Sequence, residues 1–276
     1  MTNPNPPTHP PSLAAVLNFR DIALSINPHS PRQNLQPNLL YRSARLDKAT
    51  ERDLQTLQTH YQINTILNLR TPTELASSAS PVSLHHHTRN INLNGAAYSS
   101  ALLKHLSWPQ TLKLYALYAL GFKNAAIAIL GRNVMTPRGL TGLAIDTLAH
   151  STSEIKAVFA FLATAANYPV LIHCTQGKDR TGLVVVLVLL LLGVDQEAIE
   201  KDYCASEAEL LPERTERLKE IRAMGLDERF AGCEAGFVRA VTGWLGERWG
   251  GVEGYLGHCG VGREEREGVR AVLLEA

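Results

Sequence analysis

The chain has 276 residues, 27 Lys+Arg against 26 Asp+Glu, 45% hydrophobic residues and four cysteines. That length suits one large α/β domain or two small ones, and the near-neutral balance argues against a chain that coats nucleic acid. The composition excludes a disordered, collagenous or coiled-coil protein, and the longest uncharged apolar run, residues 183–192, falls well short of the roughly 20 residues a membrane span needs.

Residues 1–12 hold five prolines and read as a disordered leader, without the basic-then-apolar pattern of a signal peptide, before a single domain over 13–276. Leu39-Leu40-Tyr41 is a first short apolar segment, followed by a turn at Ser43 and a helical pattern over 48–59. Thr65-Ile66-Leu67-Asn68-Leu69 reads as a buried strand, and Thr71-Pro72-Thr73-Glu74 opens a helix with proline just inside its start. Ile91 and Leu93 suggest a third, weaker strand. Residues 96–150 form a helical insertion, read as two core helices around 114–120 and 125–130; a lid or a surface-seeking amphipathic element is the alternative. Val170-Leu171-Ile172 is the last strand and runs through a Gly-containing loop into an apolar helix from Gly182. A further helix stops at Gly225. Strands alternating with helices predict an α/β fold, a mainly parallel central sheet with helices on both faces.

Charge is unevenly spread. Residues 75–145 contain six basic side chains and no carboxylate, whereas 195–276 carry eleven basic against eighteen acidic. Cys174, Cys204, Cys233 and Cys259 show no CxxC spacing and are too few to staple the chain, which points to a reducing, cytoplasmic location.

The segment that carries chemistry is Val170-Leu171-Ile172-His173-Cys174-Thr175-Gln176-Gly177-Lys178-Asp179-Arg180-Thr181-Gly182. A strand delivers a cysteine into a short loop, and six residues on an arginine starts a helix. Backbone N–H groups of residues 175–180 can curl into a nest for a phosphate, backed by the positive end of the helix. Arg180 adds a planar fork for two phosphate oxygens, and Gly177 opens a backbone conformation closed to other residues. The same field should hold Cys174 below the pKa of about 8.5 of a free thiol, as a nucleophilic thiolate. Thr175, Gln176, Gly177, Lys178 and Thr181 complete the phosphate-binding set, Thr181 also as a hydroxyl donor to the sulfur. His173 is read as a loop brace and not a base, since a thiolate needs none.

With these residues in place, 173–182 resembles the signature of the protein tyrosine phosphatase superfamily. Its Gly-Lys-Asp-Arg-Thr-Gly ending is similar to the atypical tyrosine- and lipid-phosphatase-like branch of bacteria and fungi. Asn18-Phe19-Arg20-Asp21, Leu40-Tyr41-Arg42-Ser43, Leu69-Arg70 with Glu74, Asp202-Tyr203 with Ser206, and Gly254-Tyr255-Leu256 with Gly260-Val261 extend the resemblance from residue 18 to about 272. It is thinnest over 76–150. The resemblance implies a phosphatase-type α/β fold and phosphomonoester hydrolysis through a cysteinyl-phosphate, without metal or cofactor. Asn68 departs from it, standing where that branch has an aspartate.

The leaving oxygen needs a proton, and the acid-free stretch limits the donors. Trp108-Pro109-Gln110 resembles an acid loop but ends in a glutamine, which has no proton to give. Asp179, inside the loop, is the preferred acid, and the resemblance supports that role. Asp146, 28 residues before Cys174, is the alternative, otherwise a solvated helix carboxylate. Arg20-Asp21 reads as an ion pair, Arg42 as a brace beneath the site, and Asp202-Tyr203 as packing against the loop. Lys178 enlarges the positive field, which suits inositol phosphates or phosphoinositides beside phosphorylated proteins. A catalytically quiet phosphate-binding module is the reading from another class. Arg89, Lys104, Lys113, Lys123, Arg132 and Arg138 read as scattered solvated charges or as a footprint for an anionic membrane. His85-His86-His87 reads as a solvated loop, because consecutive side chains diverge too far to share one ion.

Overall fold

In the computed structural model, which describes residues 12–31, 34–76, 78 and 87–275, five short strands form one sheet. They are β1 (Arg20–Asp21), β2 (Leu40–Ser43), β3 (Thr65–Asn68), β4 (His87–Asn90) and β5 (Val170–His173), in the order β1-β2-β5-β3-β4. Only β1 is antiparallel to its neighbour. Helices α1 (Ile22–Ile26), α2 (Glu51–Thr59) and α3 (Pro72–Ala76) lie among the first four strands. Between β4 and β5 come α4 (Ala96–Leu103), α5 (Trp108–Ala119), α6 (Lys123–Leu130), α7 (Thr136–His150) and α8 (Thr152–Leu162). After β5 follow α9 (Asp179–Leu191), α10 (Gln196–Glu209), α11 (Arg214–Ala223), α12 (Phe237–Trp249), α13 (Val252–His258) and α14 (Arg263–Leu273). The Pro-rich segment to residue 11 and His85-His86 lie outside the described residues.

Strand side chains alternate between faces, and the apolar clusters on the two sides of the sheet follow that alternation. Leu40, Leu67, Val170 and Ile172 face the larger cluster, which draws on helices from α1 to α14. Tyr41, Ile66 and Leu171 face a smaller one with Val16, Leu46 and Leu57. Helix α9 is apolar all round and buried along nearly its whole length, which a helix wedged between a sheet and other helices requires. β5 sits between β2 and β3, so the loop after it emerges at the carboxyl edge of the sheet, flanked by the ends of both. Among the described residues no helix is long and apolar enough to cross a membrane.

Several expectations need adjustment. The third strand is His87–Asn90, not Ile91 and Leu93; it is an exposed edge with no apolar signature, and those two residues are buried just beyond it. The helix after β5 begins at Asp179, ahead of Gly182. α2 begins at Glu51, where Thr50 and Asp53 form a capping box. The insertion is four helices, and α5 buries none of its residues, against the reading of a core helix there. Trp108-Pro109-Gln110 is the first turn of α5, with Gln110 accepting a bond from the Ser107 N–H. Arg20 and Asp21 do not pair: adjacent strand residues point to opposite faces, so Asp21 caps α1 while Arg20 reaches Asp202.

Leu187 on α9 is fully buried in the main cluster. Leu187→Ala should lower the unfolding free energy by about 3 kcal/mol through the cavity it leaves, measurable as a shifted urea midpoint at constant slope.

Candidate active site

Cys174 follows the last residue of β5 and is 2% exposed, with its loop closing into the first turn of α9. The carbonyls of that loop are taken by donors behind it. Arg45 N–H donates to the Thr175 carbonyl (3.1 Å), and Asn18 Nδ2 to those of Gln176 (2.9 Å) and Gly177 (3.0 Å). Arg42 Nη2 donates to Gly177 (2.7 Å) and Lys178 (3.4 Å). In a trans peptide the C=O and the next N–H point in opposite directions. Pinning four successive carbonyls, those of residues 175–178, therefore turns the N–H groups of residues 176–179 to the other side of the loop, an arrangement that receives anions. Gly177 is at φ +63, and a Cβ there would stand 1.9 Å from the Ser43 carbonyl oxygen, so no other residue fits this turn.

The pinning arginine is itself held. Arg42 is fully buried and pairs with Asp202, which also accepts from Arg20 Nε (2.7 Å) and Ser25 Oγ (2.8 Å). Burial opposes ionisation of Asp202, but Arg42 and Arg20 outweigh it and hold the carboxyl at about 2. Asp202 thus sits behind Arg42, one step removed from the loop. Tyr203 packs its ring against Gly182 and stacks on Phe237.

Arg180 is oriented by Glu74. Its Nη1 and Nη2 donate to the two carboxylate oxygens at 2.7 and 2.6 Å, a bidentate pair that fixes the guanidinium plane. Nη2 also donates to Thr175 Oγ1 (3.2 Å) and Nη1 to the Leu69 carbonyl (3.4 Å), while Nε has no acceptor among the described residues. Burial alone would raise the Glu74 carboxyl, yet Arg180 and Thr175 pull it down to about 2. Burial likewise works against a Cys174 thiolate, and here the Arg180 charge and the Thr181 hydroxyl and N–H prevail, so the thiol is held below its ordinary value. The buried Thr181 hydroxyl makes no hydrogen bond of full geometry, but it lies close enough to the sulfur to favour its anion. His173 Nδ1 lies 3.1 Å from the Cys174 carbonyl, and burial lowers its pKa to about 4, so the ring is neutral near pH 7.

A cavity of about 380 Å³ opens over the sulfur. Cys174, Thr175, Gln176, Asp179 and Arg180 line it, with Tyr98, Leu140, Leu143, Leu226 and Phe230 among its apolar walls. Lys178 is fully buried and is not among the lining residues; its Nζ donates to the carbonyls of Phe230 and Gly232 and lies 3.0 Å from Asp179 Oδ1, at angles short of a hydrogen bond. The Asp179 side chain is 42% exposed and faces the cavity. Asp146 is not the solvated carboxylate its helix suggested. It is buried, paired through both oxygens with Arg138, and absent from the cavity lining. Asn68 keeps a role without its charge: its Oδ1 accepts from Arg70 N and Nε (both 3.2 Å), and Arg70 finds a carboxylate in Asp47. Among the described residues no cluster of His, Cys, Asp and Glu is arranged to hold a metal ion.

Two contributors escaped the sequence reading. Glu74 was visible only as part of a motif, although it is the last carboxylate before the acid-free stretch. Arg217 gave no signal, because one cation on the highly charged α11 resembles any solvated position. It is 7% exposed and lines the cavity, and one bond ties it down, Nη2 to the Phe230 carbonyl (2.9 Å). Its Nε and Nη1 have no partner, and no carboxylate pairs with it among the described residues.

A thiol held down by Arg180 makes a direct prediction. The rate of Cys174 alkylation by iodoacetamide should titrate below the ordinary thiol range, and Arg180→Met should move that midpoint upward by removing the cation that favours the thiolate. An ordinary midpoint unaffected by the substitution would contradict this account of the site.

Comparisons with known proteins agree with this geometry. A family model described as the tyrosine phosphatase family matches residues 11–275. A triple specificity protein phosphatase, PtpB, of Mycobacterium tuberculosis is 33% identical over 126 residues, 40% of this chain and 45% of that protein. A tyrosine-protein phosphatase of Nostoc commune is 33% identical over 150 residues, 51% of each chain. A putative tyrosine-protein phosphatase of Cupriavidus necator is 29% identical over 139 residues, 44% of this chain and 46% of that protein. The chain spans about half the length of these curated relatives. It belongs to the tyrosine phosphatase family.

Proposed function

We propose that this member of the tyrosine phosphatase family is a phosphomonoester hydrolase that works through a cysteinyl-phosphate, with phosphorylated proteins among its substrates. One observation carries the reading: a buried thiol, lowered by an arginine that Glu74 aims, stands beneath a cavity with inward N–H groups. The substrate phosphoryl group occupies the nest, bonded by loop N–H groups and the Nε–H of Arg180, which has no acceptor among the described residues. Cys174 Sγ attacks phosphorus in line, a P–S bond forms, and the P–O bond to the leaving group breaks. Asp179 gives the leaving oxygen its proton. In the second step Asp179 takes a proton from water, whose oxygen bonds to phosphorus while the sulfur departs as thiolate, stabilised by Arg180 and Thr181. The apolar walls suit an aryl ester such as phosphotyrosine. The four free thiols support a reducing, cytoplasmic setting.

Asp179→Asn should lower kcat on an aryl phosphate by about 100-fold, with Cys174→Ser as the blank. Asp146→Asn should lower it far less, because that carboxylate is engaged with Arg138 outside the cavity. The reverse order would transfer the acid role to Asp146.

A second reading, an inositol-phosphate or phosphoinositide phosphatase, is favoured by Arg217. A buried guanidinium at the cavity, with two donors unpartnered and no carboxylate paired to it among the described residues, suits a second anionic group on the substrate. Arg217→Met should reduce the ratio of kcat/KM for an inositol bisphosphate to that for p-nitrophenyl phosphate about tenfold or more, mainly through KM. An equal loss on both substrates would assign Arg217 to the shared phosphoryl group and remove the second reading.

A further inference from the structure

We propose that the α5–α6 hairpin is a docking element for an anionic membrane surface. The proposal stands apart from the phosphatase reading and rests on the exposed face of this pair.

Helix α5 has an apolar sequence, yet it buries no residue. Trp108 is 78% exposed, Leu112 63% and Tyr115 55%. At spacings i, i+4 and i+7 these three share one side of the helix. Tyr118, Leu120 and Phe122 continue the exposed apolar surface to the turn, and Ile127 extends it onto α6. Leu114, Ile129 and Leu130 pack inward against Val134 and Leu102. The outer side is therefore a second apolar surface and not a frayed core. A patch of this kind marks a binding surface.

Charge identifies the occupant. Lys104, Lys113, Lys123 and Arg132 are exposed on or beside the hairpin, and no Asp or Glu occurs in residues 75–145. The Lys123 ammonium lies 6.0 Å from the centre of the Tyr118 ring, so cation and aromatic occupy one tip. Trp and Tyr with flanking lysines are the side chains that settle at the boundary between headgroups and acyl chains. Anionic headgroups complement this surface, whereas a symmetric contact between two copies would bring its lysines toward one another. None of residues 104–130 lines the catalytic cavity, so the surface is not used in holding the substrate. The hairpin continues through a π-helical segment, Gly131–Met135, into α7, whose Leu140 and Leu143 form part of the cavity wall. A docked hairpin is thus joined to the catalytic cavity by continuous structure.

The test uses the full chain and vesicles of phosphatidylcholine alone or with about one third phosphatidylserine. Co-sedimentation should occur with the anionic vesicles and weaken at high salt. Lys113→Ala and Lys123→Ala should each lower the partition coefficient about fivefold. Leu112→Ser with Phe122→Ser should lower it about tenfold or more; an unchanged thermal unfolding transition would show that these exposed positions do not hold the fold. Trp108 supplies a local readout, because Trp244 and Trp249 pack on each other at 4.5 Å. Its emission should shift to the blue with anionic vesicles, and Trp108→Phe should abolish the shift. Absence of binding, or equal binding to both vesicle types, overturns the proposal. So does a dimer in sedimentation velocity that the Leu112→Ser, Phe122→Ser variant dissolves, since the surface then belongs to a second copy. None of these readouts involves turnover, so their failure leaves the phosphatase reading intact, and an inactive enzyme would leave the docking result intact.

Discussion

The architecture is organised around the cost of lowering the pKa of a thiol that is held away from water. An ionised group in a buried site is expensive unless charge and hydrogen bonds compensate it. Cys174 is 2% exposed and still shifts toward the thiolate, because Arg180, Thr181 and the turn of α9 are placed to receive the charge. Each of these needs support from another part of the chain. Glu74, on the short α3, fixes the Arg180 fork. Asn18, Arg42 and Arg45 hold the loop carbonyls and so decide which way the N–H groups face. Asp202, from α10, holds Arg42. Five stretches of sequence meet around one atom.

Ion pairs that are buried, like Arg42–Asp202, or half-buried, like Glu74–Arg180, contribute little net stability, because desolvating the partners offsets much of their attraction. The Arg42–Asp202–Arg20 group and the Glu74–Arg180 pair are better understood as devices that fix geometry. Lys178 belongs with them. Its charge was expected to widen the field over the substrate; instead it enters the protein body and bonds the 230–232 segment. Arg217 donates to the same Phe230 carbonyl, and Phe230 lines the cavity. Two cations thereby tie the loop after β5 and α11 to one wall of the pocket, and one of them, Arg217, keeps two buried donors without a partner among the described residues.

Much of this was legible in the sequence where the physics is local. A strand, a cysteine, five residues and an arginine at a helix start define a loop whose backbone must turn tightly, and Gly177 marks the turn. The apolar run after it reads best as a buried helix, and α9 is one. Where the sequence misled, the determining contact was distant or the local pattern was ambiguous. Arg20 beside Asp21 suggests a pair, but strand alternation separates them and Asp202 supplies the partner. Asp146 in a helical pattern looks solvated until Arg138, eight residues earlier, folds back across the kink at Gly139. The edge strand His87–Asn90 has no apolar period because neither of its faces is buried.

The sequence by itself determined the alternation of strands and helices, the loop that carries the thiol, and the family resemblance, because these depend on periodicity and on residues within hydrogen-bonding reach along the chain. Tertiary structure alone decided which carboxylate aims Arg180, that Lys178 turns inward, that Arg217 enters the cavity, and that the apolar α5 remains uncovered. Those outcomes depend on which residues become neighbours across long separations, and side-chain charge or hydrophobicity is the same whichever neighbour the fold provides.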